Sequence, residues 1–390
     1  MASRLPPTVK ALGIVSLMND VSSEMITPLL PAFVTGTLKA GPAFLGLIEG
    51  AADAAASVLK IVSGALSDRL PRRKPLVVAG YGLASLVRPL MAAATAAWHV
   101  LAIRIADRIG KGVRGAPRDA MLAEVTAEAD RGRAFGFQRA MDHTGAVVGP
   151  LLASAVLWVH HDLRFLFALS MVPALVTLAV LLFGVREEPR ERVVATPQRP
   201  ALVGGEPLGG GFNRYLAVLA VFTLGNSSDA FLLLRAQDAG VALAAVPLLW
   251  AVHHVAKAAV STTGGALSDR LGRKPAILAG WAVYALAYAG FALARRPWHM
   301  WALFVVYGLF HALTEGPERA MVADLAPPHA RGRAFGLYYA VTGAMLLPAG
   351  LLTGAIWQAA GATPALLAGA GLAAVAAAGL LVLVPPPKAQ

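Results

Sequence analysis

Apolar runs too long for the core of a soluble domain recur along the chain. They fall near 9–35, 41–67, 75–96, 97–116, 134–159 and 163–184, and again near 213–235, 241–266, 275–294, 298–320, 333–359 and 363–385. A helix of about 20 residues crosses the ~30 Å hydrocarbon core of a bilayer, so each run predicts one transmembrane helix. Twelve such helices take about 240 of the 390 residues and leave short connections. The pattern therefore predicts an all-α integral membrane protein of twelve transmembrane helices, in two sets of six.

The break between the two sets of runs is the segment 186–214, rich in Pro, Gly and charge, which reads as a flexible linker. The expected organisation is an N-terminal bundle over 1–185, a linker over 186–212 and a C-terminal bundle over 213–390. The halves repeat one another. GALSDRL occurs at 64–70 and 265–271, and RGRAFG at 131–136 and 331–336. Trp98-His99 returns as Trp298-His299, and Ala120-Met121 as Ala320-Met321. A near-constant offset of this kind indicates duplication.

Composition narrows the classes. Apolar residues make up 57% of the chain and charged residues 14%, with a mean hydropathy of +0.63; soluble domains carry roughly 25% charged residues. The formal charge of +12 sits in connections between runs. Those connections are SDRLPRRKP, 114–133, the linker, SDRLGRKP and 318–333, and they alternate with loops poor in Lys and Arg. That bias is the positive-inside signature. It predicts a multi-pass protein of the cytoplasmic (inner) membrane with both termini and the linker in the cytoplasm. It also excludes a nucleic-acid partner, since no soluble basic module exists. The N-terminal segment lacks a small-residue cleavage site and reads as a retained first helix. Without cysteine there is no disulfide framework or thiolate chemistry. The adjacent pairs His160-His161 and His253-His254 point different ways on a helix, so no metal site is expected.

Ionisable residues inside the runs call for a reason, because a charge at the bilayer centre costs at least about 2.5 kcal/mol. Asp20 and Glu24 lie one turn apart on the first run. Glu49, Asp53 and Lys60 share a stripe on the second, and Arg104, Arg108 and Lys111 share one on the fourth. Asp142 lies on the fifth. Such stripes face protein or a water-filled path, whereas spans 3, 6, 9 and 12 are nearly free of charge and read as lipid-facing supports. The candidate proton carriers are Asp20, Glu24, Glu49, Asp53 and Asp142, since buried unpaired carboxylates suit proton carriage. Arg104, Arg108 and Lys111 are the candidate counter-charges; pairing of these groups as internal glue is the competing reading. On the second half, Asp229, Arg235, His254, Lys257, His311 and Glu315 are candidates for a cavity wall. Asn19, Asn226, Tyr338 and Tyr339 join them, although helix packing would explain these four as well.

The loop Gly64-x-Leu66-x-Asp68-Arg69-x-x-Arg72-Arg73-Lys74 resembles the loop 2–3 signature of the major facilitator superfamily. Its copy, Gly265-x-Leu267-x-Asp269-Arg270-x-Gly272-Arg273-Lys274, keeps the signature glycine that Pro71 replaces in the first. Arg108-x-x-Lys111-Gly112 resembles the family's span-4 arginine motif, with Lys where Gln is usual. Gly145-x-x-x-Gly149-Pro150 resembles the span-5 motif of antiporters, with Ala153-Ser154 in place of its trailing glycines. The resemblance implies two six-helix bundles, a central cavity and alternating access, with the two Asp-Arg loops as gates. It points to a proton-coupled transporter of a small molecule in the lipid bilayer, working as a monomer and exporting by antiport. A proton symporter importing a polar metabolite is the alternative, and a membrane sensor or transferase is a more distant one. No G-x-x-x-x-G-K-[ST] loop is present, so no nucleotide cofactor is expected and the proton gradient is the energy source.

Overall fold

The structure is a computed structural model, and it describes residues 5–127, 130–187, 208–327 and 330–385, without the side chains of 61, 65, 68, 69 and 261–271. The described residues form helices and no strand. Twelve rods follow the apolar runs. In chain order they are α1 (7–37), α2 (Pro42–Arg69), α3 (Lys74–Ala93), α4 (Ala97–Glu124), α5 (Arg131–His160) and α6 (Leu163–Gly184). Then come α7 (Gly210–Asp238), α8 (243–271), α9 (Arg273–Leu293), α10 (Pro297–Leu325), α11 (Arg331–Ala360) and α12 (Ala362–Leu383).

Eight of the rods are long and apolar enough to cross a membrane by composition alone. The other four, α1, α2, α4 and α10, carry most of the buried acids and bases. Large apolar side chains are exposed on α3 (Leu86), α6 (Phe183), α9 (Leu286) and α12 (Val382), the surface a bilayer covers. The tryptophans of the Trp-His repeat are exposed at the first turns of α4 and α10, where aromatic belts sit. The histidines of that repeat have a local job. His99 Nδ1 accepts from the backbone N–H groups of Thr95 (3.3 Å) and Ala96 (3.2 Å), and His299 Nδ1 accepts from Arg295 (3.3 Å), so each covers donors that the helix start leaves free.

The chain divides into two compact units with exchanged segments. Unit 1 is Met1–Ala40, Ala51–Pro197 and Ala242–Ala251; unit 2 is Gly41–Gly50, Gln198–Val241 and Val252–Gln390. The first turns of α2 thus belong to unit 2 and those of α8 to unit 1. In unit 1, α1 packs on α5 and α6, and α3 on α4 and α6; in unit 2, α7 packs on α11 and α12, and α9 on α10 and α12. The pairing is the same under the repeat.

Small residues let the helices approach. Gly80 and Gly110 meet between α3 and α4, Gly225 and Gly369 between α7 and α12, and Gly46 and Gly350 between the head of α2 and α11. The larger side chains then fill the interior. Unit 1 centres on Leu12, Val15, Val77, Tyr81 and Met121. Unit 2 has an aromatic centre, with Phe222 stacked on Trp281 (4.4 Å) and Tyr284 on Tyr288 (4.1 Å).

The repeated loops hold each unit together. Lys74 Nζ donates to the carbonyls of Leu182 (3.0 Å) and Val185 (2.7 Å) at the end of α6; Lys274 Nζ donates to Leu381 (3.0 Å) and Val384 (2.6 Å) at the end of α12. Arg73 pairs with Glu124 (2.7 Å), and Arg273 with Asp324 (3.6 Å). Arg131 and Arg331 each donate to a carbonyl at 3.3 Å, Ala123 and Ala323, near the ends of α4 and α10. A cation at a helix C-terminus satisfies orphan carbonyls and complements the dipole. Lys74→Met should therefore lower stability by about 1–2 kcal/mol, read as a fall in Tm, and Lys274→Met should do the same. An unchanged Tm in both would remove the capping role.

The sequence places 114–133 and 318–333 in loops, and the structure corrects this. α4 runs on to Glu124, α5 starts at Arg131, and α10 and α11 match them. Hydropathy falls where the charges begin, but the helices continue because their inner faces stay packed, through Met121 and Met321.

Candidate functional site

In unit 1, α1 carries Asn19, Asp20 and Glu24, and α5 seats them. A Cβ on Gly145 would lie 2.7 Å from the Leu17 carbonyl and 2.8 Å from Asp20 Cβ; one on Gly149 would lie 2.7 Å from the Val21 carbonyl and 2.9 Å from Glu24 Cβ. The Gly145-x-x-x-Gly149-Pro150 motif is thus the surface against which both carboxylate-bearing turns rest, with Pro150 buried within α5. Gly149→Val should displace the Glu24 turn and cut transport at least tenfold, as a side chain here forces the helices apart. Gly136→Ala, where nothing lies within 4 Å, should leave transport unchanged. Equal activity of the two variants would contradict this seat.

The partners of the acids differ in kind. Arg88, on a 3₁₀ turn of α3, donates from Nε to Asp107 (2.7 Å) and from Nη1 to the carbonyl (2.9 Å) and side-chain oxygen (3.0 Å) of Asn19. Arg104 Nη1 is 3.9 Å from the other Asp107 oxygen. Arg108 pairs with Asp53 at 3.1 Å. Asp142 accepts from Ser16 in a short hydrogen bond and from Gln138 (3.2 Å), and Arg118 Nη1 lies 3.9 Å away.

Asp20 and Glu24 are not in such pairs. Asp20 accepts from Asn19 Nδ2 (2.9 Å), and Glu24 from the indole N–H of Trp250 (2.8 Å) on the part of α8 that belongs to unit 1. Lys111 is exposed on α4, with no carboxylate within 4 Å among the described residues.

In unit 2, α7 unwinds over 226–228 before resuming at Ala230. The tyrosines cover the freed carbonyls: Tyr284 Oη donates to Gly225 (2.9 Å) and Tyr288 Oη to Ser227 (3.4 Å). Asn226 is half-buried within this break, and Asp229 follows it, accepting from Tyr307 Oη (2.8 Å). His253 is buried, bonded through Nδ1 to the Phe304 carbonyl (3.1 Å) and stacked on Tyr307 (5.2 Å), with the rings of His254 and His311 beside it. Among the described residues these groups make no cluster that could hold a metal ion. Lys257 pairs with Glu315 at 2.5 Å, and His311 lies 3.4 Å from the same oxygen. Glu49, from the head of α2, lies 3.5 Å from the Ser228 hydroxyl. Tyr338 lies against Tyr339 (5.1 Å) and donates to Glu318 (3.4 Å).

Arg235, one of the cavity-wall candidates, lies in the last turn of α7. It donates to the carbonyls of Phe291 (3.0 Å) and Ala294 (2.5 Å), closing the end of α9. Glu49 and Asp53, one stripe in sequence, are divided between the two units.

A family model for the Major Facilitator Superfamily matches residues 12–250 and again 215–390. The chain belongs to the major facilitator superfamily. An uncharacterised MFS-type transporter of Methanocaldococcus jannaschii is 33% identical over 361 residues, 91% of this chain and 89% of that one. An uncharacterised protein of Mycobacterium tuberculosis H37Rv is 31% identical over 364 residues, 90% of this chain and 86% of that one. Among solved structures, the nucleoside transporter NupG superposes with a TM-score of 0.80 at 15% identity, covering 98% of this chain and 100% of that one. A bacterial homologue of the human lysosomal transporter Spinster gives 0.75 at 16%, covering 98% of each. These show the fold. This member of the superfamily is accordingly a multi-pass membrane transporter and not an enzyme.

Of its loop motif, Gly64, Arg72 and Arg73 are described, with Arg72 exposed and Arg73 buried on Ser67 (3.0 Å) and Glu124. The side chains of Asp68, Arg69, Asp269 and Arg270, and the surroundings of Gly265, lie outside the described residues, as does most of the linker.

Sequence reasoning missed Trp250, Tyr307, Arg118 and Glu318. Arg118 and Glu318 fell in supposed loops. No spacing rule joins Trp250 to Glu24.

Proposed function

We propose that this transporter is a proton-coupled antiporter that exports small organic molecules across the cytoplasmic membrane by alternating access. The observation that carries the reading is the sorting of the acids inside the helices. Asp53, Asp107, Asp142 and Glu315 each have a base within 4 Å. Asp20 and Glu24 have only neutral N–H partners and stand one turn apart on α1. Two carboxylates so placed in low dielectric repel, and a shared proton relieves the repulsion. A substrate that alters the field there changes proton occupancy, which is the linkage that antiport requires. Asp53 joins Arg108 as a counter-charge pair on this account.

The direction draws on a shorter likeness. The multidrug resistance protein MdtH of Klebsiella pneumoniae is 40% identical over 89 residues, 21% of this chain and 22% of that one. The orientation rests on the Lys/Arg bias, with both termini and the linker cytoplasmic. Asp68 and Asp269 are assigned to gating, where loss of a loop charge network shifts a two-state equilibrium. Transport in proteoliposomes under an imposed pH gradient tests the reading. Export against a proton gradient supports it; accumulation in the direction of proton flow makes the protein a symporter; indifference to the gradient removes the proton. In a chain lacking native cysteine, a single cysteine placed in the linker reports orientation by labelling. Reaction from outside intact cells would invert the topology.

A further inference from the structure

The internal repeat sets residues 115–121 of α4, GAPRDAM, against 315–321 of α10, EGPERAM. Both helices carry the proline, and the next two residues have reversed charges: Arg118-Asp119 against Glu318-Arg319. The surroundings correspond at the same offset. Tyr81 matches Trp281, Gln138 matches Tyr338, and Asp142 matches Thr342.

In unit 1 the central charge is balanced. Arg118 is 2.9 Å from Asp119 and 3.9 Å from Asp142, and it donates to Ser16 (3.1 Å). In unit 2 the central charge has changed sign and the position of the balancing group is a threonine, whose hydroxyl turns back to the Tyr338 carbonyl (2.9 Å). Glu318 is 9% exposed. Its Oε1 accepts from Trp281 Nε1 (3.0 Å), its Oε2 accepts from Tyr338 Oη (3.4 Å), and its carbonyl accepts from Tyr215 Oη (3.4 Å). Among the described residues no base lies within 4 Å of it. Glu315, one turn earlier, is already engaged by Lys257 and His311.

A buried carboxylate held by neutral donors alone differs from its neighbours in what it can exchange. Burial penalises its charge, and the two N–H and O–H donors partly offset that penalty. The side chains enclosing it are already in hydrogen-bond contact, so the one cation that reaches it without repacking is a proton. We propose that Glu318 is a proton-binding site of unit 2, gaining and releasing H⁺ against the indole of Trp281 and the phenol of Tyr338. The groups facing it are Tyr215 from α7, Trp281 from α9 and Tyr338 from α11. Along α10 its charged neighbours are Glu315 and the exposed Arg319. Its part in transport rests on the proton-coupled reading; its protonation does not.

The test is pH-difference infrared spectroscopy on the full-length protein in lipid, comparing wild type with Glu318→Gln, and resonance Raman of the indole N–H. Wild type should gain a carboxylic C=O band on acidification that Glu318→Gln lacks, with an indole hydrogen-bond signal that changes over the same pH range and is constant in the variant. If Glu318→Gln fails to fold, Trp281→Phe keeps the carboxyl and should move the midpoint of the band. A band unchanged in Glu318→Gln, or a midpoint unmoved in Trp281→Phe, overturns the proposal. If the band behaves as stated while wild-type transport ignores a pH gradient, the site stands and the coupling falls.

Discussion

Glu24→Gln is expected to reduce gradient-driven transport to the leak rate while leaving counterflow exchange at a substantial fraction of wild type. The glutamine keeps the shape of the side chain beside Gly149, and its carbonyl still accepts from Trp250, whose N–H meets Glu24 at 2.8 Å. What the variant lacks is a group that can bind and release a proton. The binding surface survives and the linkage does not, so the two modes of transport separate. Asp53→Asn should be milder, because Asp53 lies 3.1 Å from Arg108 and is 36% exposed at the side chain; screening weakens a pair of that kind. Full gradient response in Glu24→Gln would move the carrier to Asp20, then to Asp229.

Arg88→Met is expected to be the most destabilising single change among the intramembrane charges, by about 3–5 kcal/mol. Arg88 and Asp107 are 5% and 3% exposed at the side chain, and the guanidinium also joins α3 to Asn19 of α1. Removing the base leaves a buried carboxylate with Arg104 3.9 Å away. The same change at Arg108, 15% exposed, should cost less. Thermal unfolding in detergent distinguishes them. A second substitution, Asp107→Leu, should restore much of the loss in Arg88→Met, since it removes the uncompensated charge. A Tm for Arg88→Met within a degree or two of wild type would show that water reaches Asp107.

The helices were legible because a spanning rod must be apolar over most of its length, and the repeat made the two-bundle plan legible too. The ends of α4 and α10 were not. Hydropathy stops at the first cluster of charges, whereas Met121 and Met321 keep both helices packed past it. Glu318 was hidden for that reason, though aligning GAPRDAM with EGPERAM would have raised it. Charge stripes drew attention to the helices that carry them but did not give the partners that the structure shows. Arg104 and Arg108 were candidate counter-charges for the carboxylates that include Asp20 and Glu24, yet the guanidinium groups lie beside Asp107 and Asp53. Depth along a helix is read from sequence, while rotation about its axis depends on packing, here on Gly145 and Gly149. Arg235 shows the converse: a charge near a helix end serves carbonyls when a neighbouring helix terminates beside it.

Exchange of protons for a transported compound is the most direct test of the coupling. Purified wild-type protein, with compounds chosen by thermal shift from a metabolite and drug panel, would be reconstituted into liposomes holding an acid interior, and the gradient followed with a pH-sensitive dye. Proton antiport predicts that a transported compound added outside collapses the gradient as it accumulates inside, and that Glu24→Gln does neither. Accumulation at an undiminished gradient, or accumulation that follows sodium instead, would contradict it.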